Sequence, residues 1–309
     1  MDFEDYLEED FMNYKPILIQ LKKGLLAAKP CLSEDDFGSK KKRERNYKEF
    51  YLKNYENNCF DTPVKVKLGS GKEAVKSSAA FIYNIFGKDT VIFEKTKYKA
   101  MKFEQGLTAL LARPKAKLDG YLLSENEQKE IFFETKLLEW SGAPKNLATA
   151  YLDERNYPEY NKHKKEFISF FKSIVDETKK SKSKGVERVS HITKIYDVIQ
   201  MTIHILGIYN TICEDKTKIS PKIKTNNIEL INLVWDYDHP RYKKEAEEAK
   251  NYIKKLNEYF VPIFKSLNEN LTFNVCYYPF SEFIKKLNFT NKERLEYLKK
   301  RYLFSSIQE

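Results

Sequence analysis

Only ten glycines and ten prolines punctuate a chain of 309 residues, roughly half the share these two residues hold in an average globular protein. Tight turns draw on both, because glycine reaches positive φ and proline presets the first turn dihedral. A turn-dense all-β sandwich or barrel is therefore disfavoured, and long helices with a few strands are expected. Hydrophobic residues make up 41% of the chain and aromatics 14%, which is enough for a sizeable core and excludes wholesale disorder.

Lys and Arg total 55 against 45 Asp and Glu, a formal net charge of +10. A positive surface attracts phosphate backbones or anionic lipid, although a chain rich in Lys, Asn, Ile and Tyr also reflects an A/T-rich genome. Cys31, Cys59, Cys213 and Cys276 are scattered and form no C-x-x-C pair. This argues against a structural zinc or a disulfide framework and suggests a reducing compartment. The acidic start MDFEDYLEED is the opposite of a secretory or mitochondrial leader. The longest nearly uncharged run, Val198 to Cys213, is too short to span a bilayer. The expectation is a cytoplasmic protein with no membrane partner.

Along the chain, YKPILIQLKKGLLAAK and a polar segment from Lys40 to Tyr55 read as helices. Ser70 with Glu73 forms a capping box that opens a helix closed at Gly87. Val91–Glu94 and Tyr98–Phe103 read as strands. KLDGYLL (Lys117–Leu123) and EIFFETKLLEW (Glu130–Trp140) read as a hairpin around SENEQK. A Lys-rich helix from Tyr160 to Lys179, a basic loop Lys179–Gly185 and a buried helix from His191 to Cys213 come next. IELINLVWDY reads as a central strand and LTFNVCYY as a last one. Between them lies an amphipathic helix that includes Pro262, and Thr290 with Glu293 opens a terminal helix. The fold expected is α/β: a mixed central β-sheet flanked by helices, with a helical N-terminal extension. It is read as one domain over 1–309, with the extension at 1–60, a core at 68–237 and C-terminal helices and strand at 238–309.

The hairpin carries the chemistry. Side chains alternate along a strand, so Glu134 and Lys136 share a face of an otherwise apolar segment. A turn centred between Asn126 and Glu127 sets Asp119 opposite Glu134; a register shifted by one sends Asp119 to the other face. Two facing carboxylates repel and raise each other's pKa unless a cation sits between them. Mg2+ or Mn2+ suits them, taking oxygen ligands, water and phosphate. A lysine beside the metal-bound water would orient the nucleophile or stabilise charge on phosphorus. E-x-K recurs at Glu127–Lys129, Glu177–Lys179, Glu214–Lys216 and Glu248–Lys250. Only Glu134–Lys136 is set in a buried strand with an Asp on its neighbour. The same residues also read as a cross-strand ion pair on a solvated face.

LDGYLL followed by IFFETKLLEW resembles the catalytic hairpin of the PD-(D/E)xK nuclease superfamily, in particular its restriction-endonuclease-like members. The resemblance covers roughly Leu68 to Tyr237, with Leu118 standing where the family has its proline. It implies Asp119, Glu134 and Lys136 as the catalytic triplet. It also implies a metal held by Asp119, Glu134 and the Thr135 carbonyl, Glu73 as an acid from the first helix, and Gln200 as the polar group of the covering helix. Glu73 is equally explained as a capping residue, and Gln200 as the edge of a buried helix. The function expected is a Mg2+-dependent endonuclease on DNA, as a restriction enzyme would be. The alternative is a non-catalytic nucleic-acid-binding protein on the same scaffold. Cutting both strands generally needs two active sites, which suggests a homodimer.

Other constellations point elsewhere less well. Gly69-Ser70-Gly71-Lys72 lacks the glycine spacing of a phosphate loop and has Glu73 where a hydroxyl would bind Mg2+. His163, His191, His204 and His239 show no metal spacing, and His204 reads as a satisfied core histidine. Lys162, Lys164, Lys165 and the Lys179–Lys184 run are candidates for phosphate contact.

Overall fold

The structure, a computed structural model, describes residues 17–41, 48–52, 78–87, 90–111, 113–137, 146–183, 185–192, 196–215, 223–237, 240–289 and 291–303. Glu73, its partner Ser70 and the Gly69–Lys72 segment lie outside the described residues, as do Lys184 and Thr290.

A seven-stranded mixed sheet forms the centre, in the order β11-β10-β6-β5-β4-β3-β12. Its strands are β3 (Thr90–Phe93), β4 (Thr96–Leu107), β5 (Ala116–Ser124), β6 (Glu130–Lys136), β10 (Asn227–Val234), β11 (Thr272–Pro279) and β12 (Leu287–Phe289). β6, β10 and β11 run parallel, whereas β6-β5-β4-β3-β12 are successively antiparallel. One face carries α3 (Lys164–Ser173), α4 (Val198–Asp215) and α5 (Pro240–Leu267), together with a three-stranded sheet of β7 (Leu147–Ala148), β9 (Val186–His191) and β8 (Val175–Ser183). The other carries α1 (residues 17–28), α2 (Ser78–Phe86), α6 (Phe280–Phe283) and α7 (Lys292–Tyr302). The α/β class and the helix-flanked mixed sheet agree with the sequence pattern. Among the described residues no helix is long and apolar enough to cross a membrane.

Several elements differ from expectation. Residues 17–28 do form a helix, but Ile17, Leu18, Leu21 and Leu25 are buried in the same cluster as Phe81, Phe133 and Trp235. The helix is thus part of the body and not an appended extension. The polar segment expected as a second helix holds a hairpin, β1 (Phe37–Lys41) with β2 (Lys48–Leu52); Phe50 and Tyr51 suit a strand better than a helix. The Lys-rich helix stops at Ser173, and Lys179–Ser183 continue as β8, because pairing with β9 supplies the backbone bonds that the local composition does not predict. His191 ends β9, and α4 begins only at Val198, where the Asp197 carboxylate accepts the Gln200 N–H at 3.0 Å. Asp197 and Gln200 three residues apart are a capping signal that the sequence already carries. At α7 the N-cap is Asn291, which accepts the Arg294 N–H at 3.1 Å. Residues 238–309 contribute two strands to the central sheet, so the sheet extends beyond 68–237.

Gly207 decides how closely α4 lies on the sheet. A Cβ built there would meet the Leu107 Cβ at 3.0 Å and the Ala116 Cβ at 3.6 Å. With no side chain, the helix backbone settles against β4 and β5, and the polar residues one and two turns earlier, His204 and Gln200, reach β6. Overpacking such a contact costs about 1–3 kcal/mol. Gly207→Leu is therefore expected to lower the free energy of unfolding by about that amount, read from the urea midpoint at unchanged m-value; an unchanged midpoint would mean the approach is not tight.

Candidate active site

The hairpin adopts the register that opposes Gly120 to Phe133 and Tyr121 to Phe132. That register directs Asp119 toward Glu134, but the ladder ends at Gly120–Phe133. Beyond it β6 is held on its other edge by β10, through Asn232 opposite Glu134 and Val234 opposite Lys136. The parting of β5 leaves the Thr135 N–H without a strand partner on that side. Asp119 supplies one: its Oδ2 accepts the Thr135 N–H at 2.8 Å and the Thr135 hydroxyl at 2.7 Å. A side-chain carboxylate thus stands in for the missing ladder bond. The same hydroxyl lies 3.1 Å from the Ser78 carbonyl, at the start of α2.

Glu134 is 2% exposed. Its Oε1 lies 2.6 Å from the Lys136 ammonium, two residues along on the same face of β6. His204 Nε2 lies 2.8 Å from Oε2, close enough for a strong charge interaction though off the line of a hydrogen bond. Lys136 in turn donates to the Gln200 Oε1 at 2.7 Å. Gln200 and His204 are four residues apart and share one face of α4. Behind β6, Asn232 Nδ2 donates to the Glu134 carbonyl at 3.2 Å, and the Tyr196 hydroxyl donates to the Asn232 Oδ1 at 3.2 Å.

These surroundings push the two carboxyls in opposite directions. Burial favours the neutral form of Glu134, but the charges of Lys136 and His204 outweigh it and hold the carboxyl at about 2. Burial and then the Glu134 charge push Asp119 up to about 8, against the partial relief of its Thr135 hydrogen bonds and of Lys136. At neutral pH, Glu134 is therefore ionised and Asp119 protonated. A protonated Asp119 donates to the Thr135 oxygen, which frees the hydroxyl proton for the Ser78 carbonyl.

The oxygens suit a hard divalent cation. A strand residue directs its N–H and C=O to the same edge, so the Thr135 carbonyl faces the gap on the Asp119 side. Two carboxyl groups and one carbonyl would offer a partial shell of the kind Mg2+ completes with water and phosphate, and a cation would relieve the repulsion that raises Asp119. Among the described residues no three His, Cys, Asp or Glu side chains gather as a metal-ligand group, so a third donor would have to be the backbone carbonyl.

Asp119, Glu134, Thr135, Lys136 and Gln200 are thus brought together, while Glu73 lies outside the described residues. His204 is buried in the core, as its place in an apolar helix predicts, and its neighbour there is Glu134, a partner the sequence leaves unnamed. The spacing Gln200–His204, two polar residues one turn apart in an apolar helix, is the signal for it. Lys162, Lys164 and Lys165 fall at the start of α3.

Asp119 also sets a pH dependence. Its folded pKa is raised, so its contribution is most favourable below the unfolded value of 3.8 and is lost as pH rises to about 8, at up to about 1.4 kcal/mol per pH unit. Glu134 is lowered, so its contribution is present above 4.5 and is lost only as pH falls toward 2. In EDTA, Asp119→Asn should flatten the decline of stability between about pH 5 and pH 8, followed by urea unfolding at each pH. A wild-type slope in the variant would place the titration elsewhere. Compared with family models, curated proteins and solved structures, the chain finds no match.

Proposed function

We propose that the protein is a Mg2+-dependent (or Mn2+-dependent) endonuclease of the PD-(D/E)xK kind that hydrolyses DNA phosphodiester bonds, acting as a restriction enzyme and as a homodimer. The observation that carries this reading is the lysine: Lys136 is held between Glu134 Oε1 and Gln200 Oε1, at 2.6 and 2.7 Å, beside the Asp119–Thr135 contact. A structural ion pair needs neither the neighbouring acid nor the amide from α4.

Asp119, Glu134 and the Thr135 carbonyl would hold the cation, which when bound polarises the phosphate and acidifies a water. The Lys136 ammonium, aimed by its two acceptors, would orient the attacking water or stabilise the charge growing on phosphorus. Gln200, anchored at the first turn of α4 by Asp197, fixes the direction of the ammonium. His204 helps keep Glu134 ionised. To hold a cation the protonated Asp119 would have to lose its proton, so affinity for the metal should rise with pH.

One observation favours the second reading, a binding protein that does not cut. Glu134 and Lys136 are only 2% and 7% exposed, so a substrate reaches them only if the covering elements move. A plasmid-nicking assay with Mg2+ or Mn2+ separates the two. Wild type should cut, and Asp119→Ala, Glu134→Ala and Lys136→Ala should each lose about 10²–10³-fold or more in rate. Wild-type rates in any of the three would remove that residue from the centre. Salt-sensitive binding without cleavage would establish the second reading.

A further inference from the structure

The β8–β9 hairpin forms a ribbon that carries cations and leaves the body at the edge of the small sheet. Its base is anchored: Val175 and Val189 are buried with the α3 and α4 side chains, and the Ile192 N–H bonds the Ile174 carbonyl at 3.1 Å. Past an irregularity between Asp176 and Lys180, the outer part is exposed. Beyond it lie Lys180, Lys182 and Arg188, with Glu187 opposite Lys182, while Glu177 and the Asp176-paired Lys179 fall within the irregularity itself. The irregularity is tied by Asp176, which accepts from the Thr178 hydroxyl at 2.6 Å and lies 3.3 Å from Lys179. Lys180, Lys182 and Arg188 make no ion pair among the described residues.

We propose that this ribbon lies along the phosphate backbone of the duplex DNA that the candidate active site cuts, an inference that rests on the nuclease reading. Lys180 and Lys182 share a face, about 6.6 Å apart along the strand, close to the roughly 6.8 Å rise of two nucleotides on one DNA strand. Ser181 and Arg188 oppose each other on the other face, so cations flank the ribbon on both sides. β8 is the edge of its sheet, so outward backbone N–H groups add phosphate donors. The position is also right. The chain from Ile192 to Tyr196 spans at most about 14 Å, and the Tyr196 hydroxyl sits on the Asn232 that bonds the Glu134 carbonyl. The ribbon's base is thereby linked, through Tyr196, to the residue opposite Glu134 on β10. Such phosphate binding reads no bases, and its affinity falls steeply with salt.

The test is fluorescence anisotropy of the full chain on a labelled duplex in EDTA, where nothing is cut, over a series of salt concentrations. The variant combines Lys180→Ala, Lys182→Ala and Arg188→Ala; the control combines Lys254→Ala, Lys265→Ala and Lys300→Ala, and unfolding midpoints check that both are folded. The ribbon variant should bind at least about tenfold more weakly at low salt, with a log–log salt slope shallower by about 2–3, near 0.9 for each phosphate no longer neutralised. The control should match wild type. An unchanged slope in the ribbon variant, or an equal weakening in the control, overturns the proposal. So does loss of binding to phosphatidylserine vesicles with the duplex slope intact. Ribbon-dependent binding by a wild type that never cuts with Mg2+ keeps the ribbon and rejects the nuclease. Cutting with a slope that ignores the ribbon does the reverse.

Discussion

A carboxylate with 2% exposure in a seven-stranded sheet is the constraint on which this fold turns. An ionised group so placed costs several kcal/mol unless charge and hydrogen bonds compensate it. Glu134 obtains its compensation from its own strand and from a helix distant in sequence. Lys136 comes from its own strand, and His204 from α4. The compensation is therefore complete only when α4 is seated, which is why Gly207 and the Asp197 cap matter far beyond their size. Removing the Lys136 ammonium would leave a buried charge uncompensated, a destabilisation of about 3–5 kcal/mol in comparable buried pairs. The same interactions that make the site chemically distinctive also hold a helix to the sheet.

The parting of β5 from β6 follows from the sheet's change of direction. Up to Phe133 the strand β6 is paired on both edges; beyond it, only the parallel neighbour β10 remains. A strand that loses a partner must satisfy its N–H groups in another way. Asp119 does this at Thr135, which sets one acid at the place where the sheet opens and the second one strand away. Because burial and proximity act on both, a single proton is divided unequally between them, with Glu134 ionised and Asp119 neutral. Two carboxyls prepared in opposite states are the arrangement that a cation can remodel.

How much of this is legible in the sequence depends on the range of the interaction that decides each element. The hairpin register is legible because a short polar turn and two alternating strands fix it locally. So are β10, with its continuous apolar run, and the apolar stripes of α4 and α5. Glu134 and Lys136 can be paired from strand period and Asp119 joined to them in one of two registers, whereas Gln200 is named only through the resemblance to the nuclease hairpin. The ribbon is not legible: Lys179–Ser183 has a loop-like composition, and only pairing with β9 makes it a strand. His204 escapes for a related reason. A histidine in an apolar helix is silent about its partner until the helix lies on a particular strand. The burial of residues 17–28 likewise rests on packing with Phe81 and Trp235 far along the chain.

The burial of Glu134 and Lys136 bears on what a substrate must do. Lys136 lies beneath α4, its ammonium committed to Glu134 and Gln200, and α4 is the next helix in the chain after the ribbon. A phosphate backbone drawn to Lys180, Lys182 and Arg188 would pull on β9, and β9 leads through Ile192 and Tyr196 into the Asp197 cap that holds Gln200. Movement of that cap would release Gln200 from Lys136, expose the ammonium and uncover the Thr135 carbonyl edge. The charged ribbon and the buried pair are thus near in the chain, Ile192 ending the one and Tyr196 opening the approach to the other. The short connection between them carries the hydrogen bonds, Tyr196 to Asn232 and Asp197 to Gln200, that would have to yield before the centre could meet a phosphate.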